Sequence, residues 1–122
     1  IVNVDQPAWA ELTLTFAGFW EVQPHWLFEN LDVVQILDVR EADEFNGNLG
    51  HILGARQIAL GHLESRVDEI DKQLPVVTIC RAGGRSAQAT VILHKAGFDK
   101  VANLAGGMLR WRAHQYPISD RS

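Results

Sequence analysis

Two short apolar runs, residues 33–39 and Val76–Ile79, constrain the fold of this chain more than any other feature. Both are almost continuously apolar, which is typical of strands buried on both faces of a parallel sheet. Between them, apolar residues recur at the spacing of an amphipathic helix: Leu63, Val67, Ile70 and Leu74. We predict this helix over residues 62–73, ending before Pro75, because proline disfavours helical geometry in the residue before it. A strand, a helix and a second strand indicate an α/β fold in which helices cover both faces of a parallel sheet.

Shorter patterns and helix-breaking residues predict the other elements. Pro24 suits a first helical position, and Gly97 suits the end of a helix. Helices are predicted over residues 25–30, 41–46, 86–96 and 108–114. Strands are predicted over residues 13–16, 55–58 and 101–104. We divide the chain into a lead-in segment of irregular structure or short strands, one domain and a C-terminal tail, at residues 1–23, 24–117 and 118–122.

Length, charge and cysteine content exclude several function classes. A chain of 122 residues buries one core but is too short for two domains. The net charge of −4 argues against a partner such as nucleic acid or an acidic membrane surface, and no apolar run approaches the ~18 residues of a membrane span. One cysteine excludes an internal disulfide and suits a reducing compartment, so we expect a cytoplasmic protein. The histidines lack metal-ligand spacing, and we expect neither a metal nor a cofactor.

The only cysteine opens a glycine-rich loop between a predicted strand and a predicted helix. The loop reads Cys80-Arg81-Ala82-Gly83-Gly84-Arg85-Ser86. A loop of this kind directs backbone N–H groups and the positive end of a helix dipole at one point, which favours a nucleophilic thiolate. Lowering the pKa of a cysteine from about 8.5 to ~6 requires roughly 3.4 kcal/mol. A helix end supplies typically ~0.3–1 kcal/mol, so the loop amides and an arginine must contribute as well.

Each loop residue also has a simpler interpretation. Cys80 could be a buried structural cysteine, although the glycines, arginines and serine that follow favour a nucleophile. Gly83 and Gly84 could be a generic turn, although a loop that packs its amides inward needs residues that are free to take φ > 0. Ser86 is either a helix N-cap or a substrate contact. Arg81 and Arg85 are either anion contacts or solvent-exposed side chains.

Residues 31–117 contain several short motifs, in the order Leu37-Asp38-Val39-Arg40-Glu41, Gly50-His51-Ile52-Leu53-Gly54-Ala55, the loop 80–86, Ala96-Gly97-Phe98, Val101-Ala102-Asn103-Leu104, Gly106-Gly107-Met108 and Trp111. The order and spacing of these motifs resemble the single-domain bacterial rhodaneses, a family of sulfurtransferases. This resemblance implies a rhodanese-like three-layer α/β/α fold with a central parallel sheet. It also implies a persulfide on Cys80 and an anion-binding cup formed by the amides of residues 81–86. Asp38 and Arg40 are then structural residues that brace the loop region.

The resemblance also implies a reaction. The Cys80 thiolate takes the outer sulfur of thiosulfate or of a low-molecular-weight persulfide, then passes it to cyanide or a thiol. An alternative function is a relay module that delivers sulfur to a partner protein. The lead-in resembles segments that precede rhodanese domains fused to, or encoded with, persulfide dioxygenases, which implies such a sulfur-metabolism enzyme as a partner. A tyrosine-phosphatase-like activity is disfavoured, because those enzymes have Cys-x5-Arg whereas Cys80 and Arg85 form Cys-x4-Arg.

Overall fold

Six strands form one sheet with helices on both faces in the computed structural model, which describes residues 9–119. The strands are β1 (Thr13–Leu14), β2 (Trp20–Val22), β3 (Gln35–Asp38), β4 (Arg56–Gln57), β5 (Val76–Ile79) and β6 (Val101–Leu104). The helices are α1 (Pro24–Glu29), α2 (Ala42–Phe45), α3 (Leu60–Arg66), α4 (Gly84–Lys95) and α5 (Gly107–Ala113). A short 3₁₀ turn, Val67–Glu69, follows α3.

The sheet has the strand order β1-β2-β6-β5-β3-β4. All neighbouring pairs are parallel except β1 and β2, which form an antiparallel hairpin. Strand β5 lies between β3 and β6, with Thr78 opposite both Leu37 and Asn103. The predicted parallel sheet is therefore confirmed, with one antiparallel edge strand. Its central strand is the one that leads into Cys80.

Alternating residues of the sheet supply two separate cores, which gives the predicted three layers. On one face, Val77 and Ile79 of β5 pack with residues of α1 and α5, among them Trp111. On the other face, Val76 packs with residues of α3 and α4, among them Leu93. Cys80 belongs to this second core, so the loop leaves the sheet on the side of α4.

The predicted and observed bounds agree best for the buried strands. Strands β5 and β6 begin and end at the predicted residues. The helix predicted over 62–73 is wrong at its end: it becomes a 3₁₀ turn at Val67, and Ile70 is extended. The side chain of Gln35, on β3, bonds the backbone of Asp71 and holds this segment out of helical geometry.

The predicted lead-in contributes two strands to the sheet. Strand β2 pairs with β6, and its Val22 is fully buried, as Leu12 nearly is. Residues 1–8 of the lead-in and 120–122 of the tail lie outside the described residues. The division of the chain at residue 24 stays a prediction.

Candidate functional site

Cys80 lies at the carboxyl end of the central strand and is only 1% exposed. The carboxyl ends of its neighbours β3 and β6 flank it, because all three strands run parallel. Binding sites in open α/β sheets lie beyond such strand ends. The position of Cys80 in the fold is therefore that of a functional residue, as well as that of a core residue.

Burial and hydrogen bonding act in opposite directions on the Cys80 thiol. Burial on its own would raise its pKa. The Ser86 hydroxyl and the backbone N–H groups of Ser86, Gly83 and Ala82 outweigh that effect, so the pKa lies below its ordinary value. The Gly83 N–H lies 3.0 Å from Sγ, and the Ser86 Oγ lies 3.2 Å from it. The loop thus stabilises the thiolate, which is the nucleophilic form.

Two glycines allow the loop to take this shape. Gly83 caps α4 with φ of +118°, a left-handed conformation that L side chains rarely adopt. Gly107, the first residue of α5, has φ of +56°, and a Cβ there would lie 2.5 Å from the Cys80 carbonyl oxygen. The next two amides of α5, from Met108 and Leu109, donate to the carbonyls of Cys80 and Arg81. These bonds occupy the loop carbonyls on the side of α5.

The start of α4 separates the roles of the loop glycines and excludes one interpretation of Ser86. Gly83 takes positive φ, whereas Gly84 is the first residue of α4 and is not among the glycines with positive φ. Ser86 was considered as an N-cap, but the N-cap is Gly83 and Ser86 is the third helical residue. The helix begins two residues before the predicted bound because glycine itself can cap it.

Ser86 is instead a fully buried contact of the thiol. Its Oγ lies within hydrogen-bond reach of Cys80 Sγ, of the Gly83 carbonyl oxygen and of Asn103 Oδ1. Asn103 lies on β6, and its Nδ2 donates to Glu21 Oε2 at 3.5 Å. Asn103 was quoted only as part of a motif in the sequence, so its contact with the site was missed.

The two loop arginines have different surroundings. Arg85 donates from both Nη atoms to the two carboxylate oxygens of Glu44, at 2.6 and 2.8 Å. These bonds lower the pKa of Glu44 to about 2, so the carboxylate is charged at neutral pH. The Arg81 side chain is exposed and forms no ion pair within residues 9–119. No sequence pattern pointed to Glu44, which lies 41 positions before Arg85.

A buried ion pair supports the residues that face the loop. The Arg40 guanidinium bonds the Asp38 carboxylate, with 2.8 Å between Nη2 and Oδ2, and neither side chain is more than 1% exposed. Arg40 also donates to the carbonyl oxygens of Glu44 and Gly50. The structural interpretation of Asp38 and Arg40 agrees with these contacts, since they fix the backbone of the residue that pairs with Arg85.

An open cavity of about 400 Å³ adjoins the loop, and its lining includes Asp43, Glu44 and Arg81. In the described part of the chain, no group of three or more His, Cys, Asp or Glu side chains could hold a metal ion. No helix within that part has the length and apolar character needed to cross a membrane. The loop beside this cavity holds a thiol of lowered pKa next to polar and charged groups.

Comparison with known proteins gives a consistent result. A family model described as Rhodanese-like domain matches residues 23–114. The thiosulfate sulfurtransferase GlpE of Coxiella burnetii is 34% identical over 94 residues, which cover 77% of this chain and 84% of that protein. A crystal structure of a rhodanese-related protein from Thermoplasma volcanium superimposes with a TM-score of 0.77 at 27% identity, covering 83% of this chain and 98% of that one.

Two relatives from Bacillus subtilis (strain 168) are longer than the match. The uncharacterized protein YqhL is 46% identical over 77 residues, or 63% of this chain and 60% of that protein. The putative sulfur carrier protein YrkF is 40% identical over 78 residues, or 64% of this chain and 41% of that protein. The match thus spans less than two thirds of both relatives.

Proposed function

Because the chain belongs to the rhodanese-like domain family, we propose that it transfers sulfane sulfur through a persulfide on Cys80. The observation that carries this proposal is the set of hydrogen bonds on Sγ, from Gly83 N–H and Ser86 Oγ, which lowers the pKa of the thiol. A thiolate is the nucleophile that the reaction needs. The donor is thiosulfate or a low-molecular-weight persulfide, and the name of the Coxiella burnetii relative supports the former.

In the first half of the reaction, the Cys80 thiolate attacks the outer sulfur of the donor. A new S–S bond forms at Sγ, and the donor's bond to that sulfur breaks with its electron pair leaving on sulfite or on a thiolate. With thiosulfate, three negative charges enter and three remain, one on the Cys80 persulfide and two on sulfite. No net proton transfer is required at this step, which agrees with the structural role of Asp38 and Arg40.

In the second half, an acceptor takes the sulfur from the persulfide. Cyanide attacks the outer sulfur and leaves as thiocyanate, or a thiolate attacks it and leaves as a persulfide. In both cases the Sγ–S bond breaks and its electron pair returns to Cys80 as a thiolate. The loop that stabilises the resting thiolate stabilises the leaving thiolate in the same way.

We assign the substrate contacts to the loop, residues 81–86. The amides of Ala82, Gly83 and Gly84, with Ser86, form the anion cup around the outer sulfur. The Arg81 side chain is exposed beside the cup and free to attract an anionic donor. Arg85 also contributes a guanidinium, although it is shared with Glu44.

A relay to a partner protein is the second candidate. It is favoured by the Bacillus subtilis relative described as a putative sulfur carrier, of which the match spans only 41%. In that case a fused or co-encoded sulfur-metabolism protein in the cytoplasm would receive the sulfur. Transfer to that protein would be fast and turnover with small acceptors slow, whereas an enzyme would turn over rapidly with cyanide or glutathione.

Intact-mass measurement of Cys80 persulfidation tests the proposal. Treatment with thiosulfate or glutathione persulfide should add about 32 Da, which cyanide or a thiol reductant removes, as expected for a reversible modification of a thiolate. Folded Cys80→Ser should gain no mass and should lack thiosulfate:cyanide sulfur transfer. If neither donor ever adds sulfur to folded wild-type protein, Cys80 is a structural cysteine and the proposed function is wrong.

A further inference from the structure

Arg85, the basic residue within α4 beside the cup, is already occupied by a carboxylate. Its Nη1 and Nη2 atoms bond Oε1 and Oε2 of Glu44 at 2.6 and 2.8 Å, a two-point geometry that is among the stronger ion pairs. Both side chains are about one third exposed, 34% for Arg85 and 31% for Glu44. An incoming donor anion therefore meets Arg85 together with its counter-charge.

Glu44 is held in place from three sides. Its Oε1 accepts the Glu41 N–H at 3.1 Å, and its carbonyl oxygen accepts a bond from Arg40 Nη1 at 3.2 Å. Asp43 Oδ1 in turn accepts the Glu44 N–H at 3.0 Å. The carboxylate is thus directed at Arg85 by its own short helix, α2, and by the buried Asp38–Arg40 pair behind it.

Glu44 neutralises the charge of Arg85 beside the cup. Two hydrogen bonds join the two side chains, so the pair carries no net charge. The Asp38–Arg40 pair is neutral as a unit. The Glu44–Arg85 pair therefore offers an incoming donor no excess positive charge, and each negative charge of the donor is repelled by Glu44 as well as attracted by Arg85.

We propose that Glu44 determines the class of donor, disfavouring doubly charged thiosulfate and favouring donors with one negative charge at the reacting group, such as a persulfide anion. This inference rests on the proposed function and deepens it by naming the donor class. Glu44 acts through Arg85 and does not touch the reacting sulfur, so it is a specificity-determining residue and not a catalytic one.

The size of the effect follows from the one charge by which two such donors differ. A unit charge about 6 Å from another contributes on the order of a three- to tenfold change in binding when the medium is close to water in dielectric constant. Removing the Glu44 charge should therefore strengthen the binding of both donors. The gain should be about three- to tenfold larger for a dianionic donor than for a monoanionic one. The difference should shrink at high ionic strength, because salt screens exposed charges.

Thiosulfate and methanethiosulfonate provide the matched donors, since a methyl group in the second replaces a charged oxygen of the first. For wild type and Glu44→Gln we would measure kcat, KM and the rate of mass gain at Cys80 with each donor. We expect the kcat/KM ratio of thiosulfate to methanethiosulfonate to rise about three- to tenfold in Glu44→Gln. The change should come from KM, because the cup that stabilises the leaving thiolate is intact.

Two controls isolate the Glu44–Arg85 pair. Asp43→Asn removes a carboxylate from the same cavity but keeps an Oδ1 that can accept the Glu44 N–H, so the Glu44–Arg85 pair stays in place and the ratio should change less than twofold. In an Arg85→Gln background, adding Glu44→Gln should change the ratio less than it does in wild type, as a double-mutant cycle requires of a coupled pair. Glu44→Ala repeats the test if Glu44→Gln fails to fold.

The outcomes separate the two proposals. An unchanged ratio in folded Glu44→Gln, with both donors still loading Cys80, would overturn the role of Glu44 and leave the sulfur transfer standing. An equal rise in Asp43→Asn would assign the effect to general charge at the cavity and would overturn it too. Failure of both donors to load wild-type Cys80 would instead contradict the proposed function itself.

Discussion

At Cys80, hydrogen bonds rather than an unpaired cation hold the thiolate. Arg85 of α4 donates from both Nη atoms to the Glu44 carboxylate, so it is not an unpaired cation beside the sulfur. The amides and the Ser86 hydroxyl are neutral groups whose dipoles point at the sulfur. This assigns more of the stabilisation to the loop backbone and to Ser86 than the sequence suggested.

Ser86→Ala tests that assignment. The variant removes the hydroxyl at 3.2 Å from Sγ and leaves the backbone amides in place. A hydrogen bond to a charged group contributes about 1.5–3 kcal/mol, so the pKa of Cys80 should rise by roughly one to two units. The rate of iodoacetamide alkylation measured against pH would show the shift. An alkylation profile that matches wild type would mean that the Ser86 hydrogen is directed at Asn103 instead.

Ser65→Ala is the control for Ser86→Ala. Ser65 is an exposed serine of α3 whose hydroxyl donates to the His62 carbonyl oxygen. Ser65→Ala also removes one hydroxyl group, but this hydroxyl has no hydrogen bond to the loop. The pH profile of Cys80 alkylation should therefore match that of wild type.

At the scale of elements, the start of α5 supports the loop from behind. The Met108 and Leu109 amides donate to the carbonyls of Cys80 and Arg81, and Gly107 lies against the same backbone atoms. In the sequence, Gly106 and Gly107 stand out only as part of a motif shared with the family. The contacts of this segment make it part of the support of the site, because the loop cannot shift without breaking bonds to α5.

Gly107→Ala should therefore damage both stability and activity. The new Cβ would lie 2.5 Å from the Cys80 carbonyl oxygen and 2.6 Å from that of Arg81, and alanine at φ of +56° is strained. We expect a loss of about 2–4 kcal/mol in the free energy of unfolding, together with slower loading of Cys80. Urea denaturation and intact-mass kinetics would measure these effects.

Gly61→Ala provides the matched control. Gly61 is a helical residue of α3, and no heavy atom lies within 4 Å of the place its Cβ would take. Alanine favours helices over glycine by about 0.5–1 kcal/mol, so this variant should be neutral or slightly more stable. Equal losses in the two variants would contradict the role given to Gly107.

The sequence predicts an element well where its signal is local. Strand β5 is a run of apolar residues bounded by Pro75 and by the loop, and both ends were predicted correctly. Contacts between distant positions decided the rest. The predicted 62–73 helix stops early because Gln35 bonds the backbone of Asp71, 36 positions later. The partners of the site, Glu44 and Asn103, lie 41 and 17 positions from the loop residues they contact. No local pattern encodes such pairs.

At the scale of the whole molecule, the sheet extends beyond the motifs that predicted it. The β1–β2 hairpin covers the outer edge of β6, and Val22 and Leu12 fill the core beneath it. Glu21 of β2 also contacts Asn103, so the hairpin reaches the neighbourhood of the site. A protein that begins at residue 24 would therefore lack strands β1 and β2.

A chain shortened to begin at Pro24 tests the predicted division. It leaves β6 as an unpaired edge and removes the buried side chains of Leu12 and Val22, each contributing about 1.5–3 kcal/mol. We expect the free energy of unfolding to fall by about 3–6 kcal/mol, as measured by urea denaturation with circular dichroism. A shortened chain as stable as the full one would support a domain that begins at residue 24.

The single cysteine of these 122 residues would affect how long the proposed persulfide lasts. Within them there is no second thiol that could attack it and close an internal disulfide. Cys80 is also only 1% exposed, which limits its contact with thiols in solution. If Cys80 carries the sulfur, we expect its lifetime to be set by how often an acceptor of suitable size and charge, from outside these residues, reaches the site.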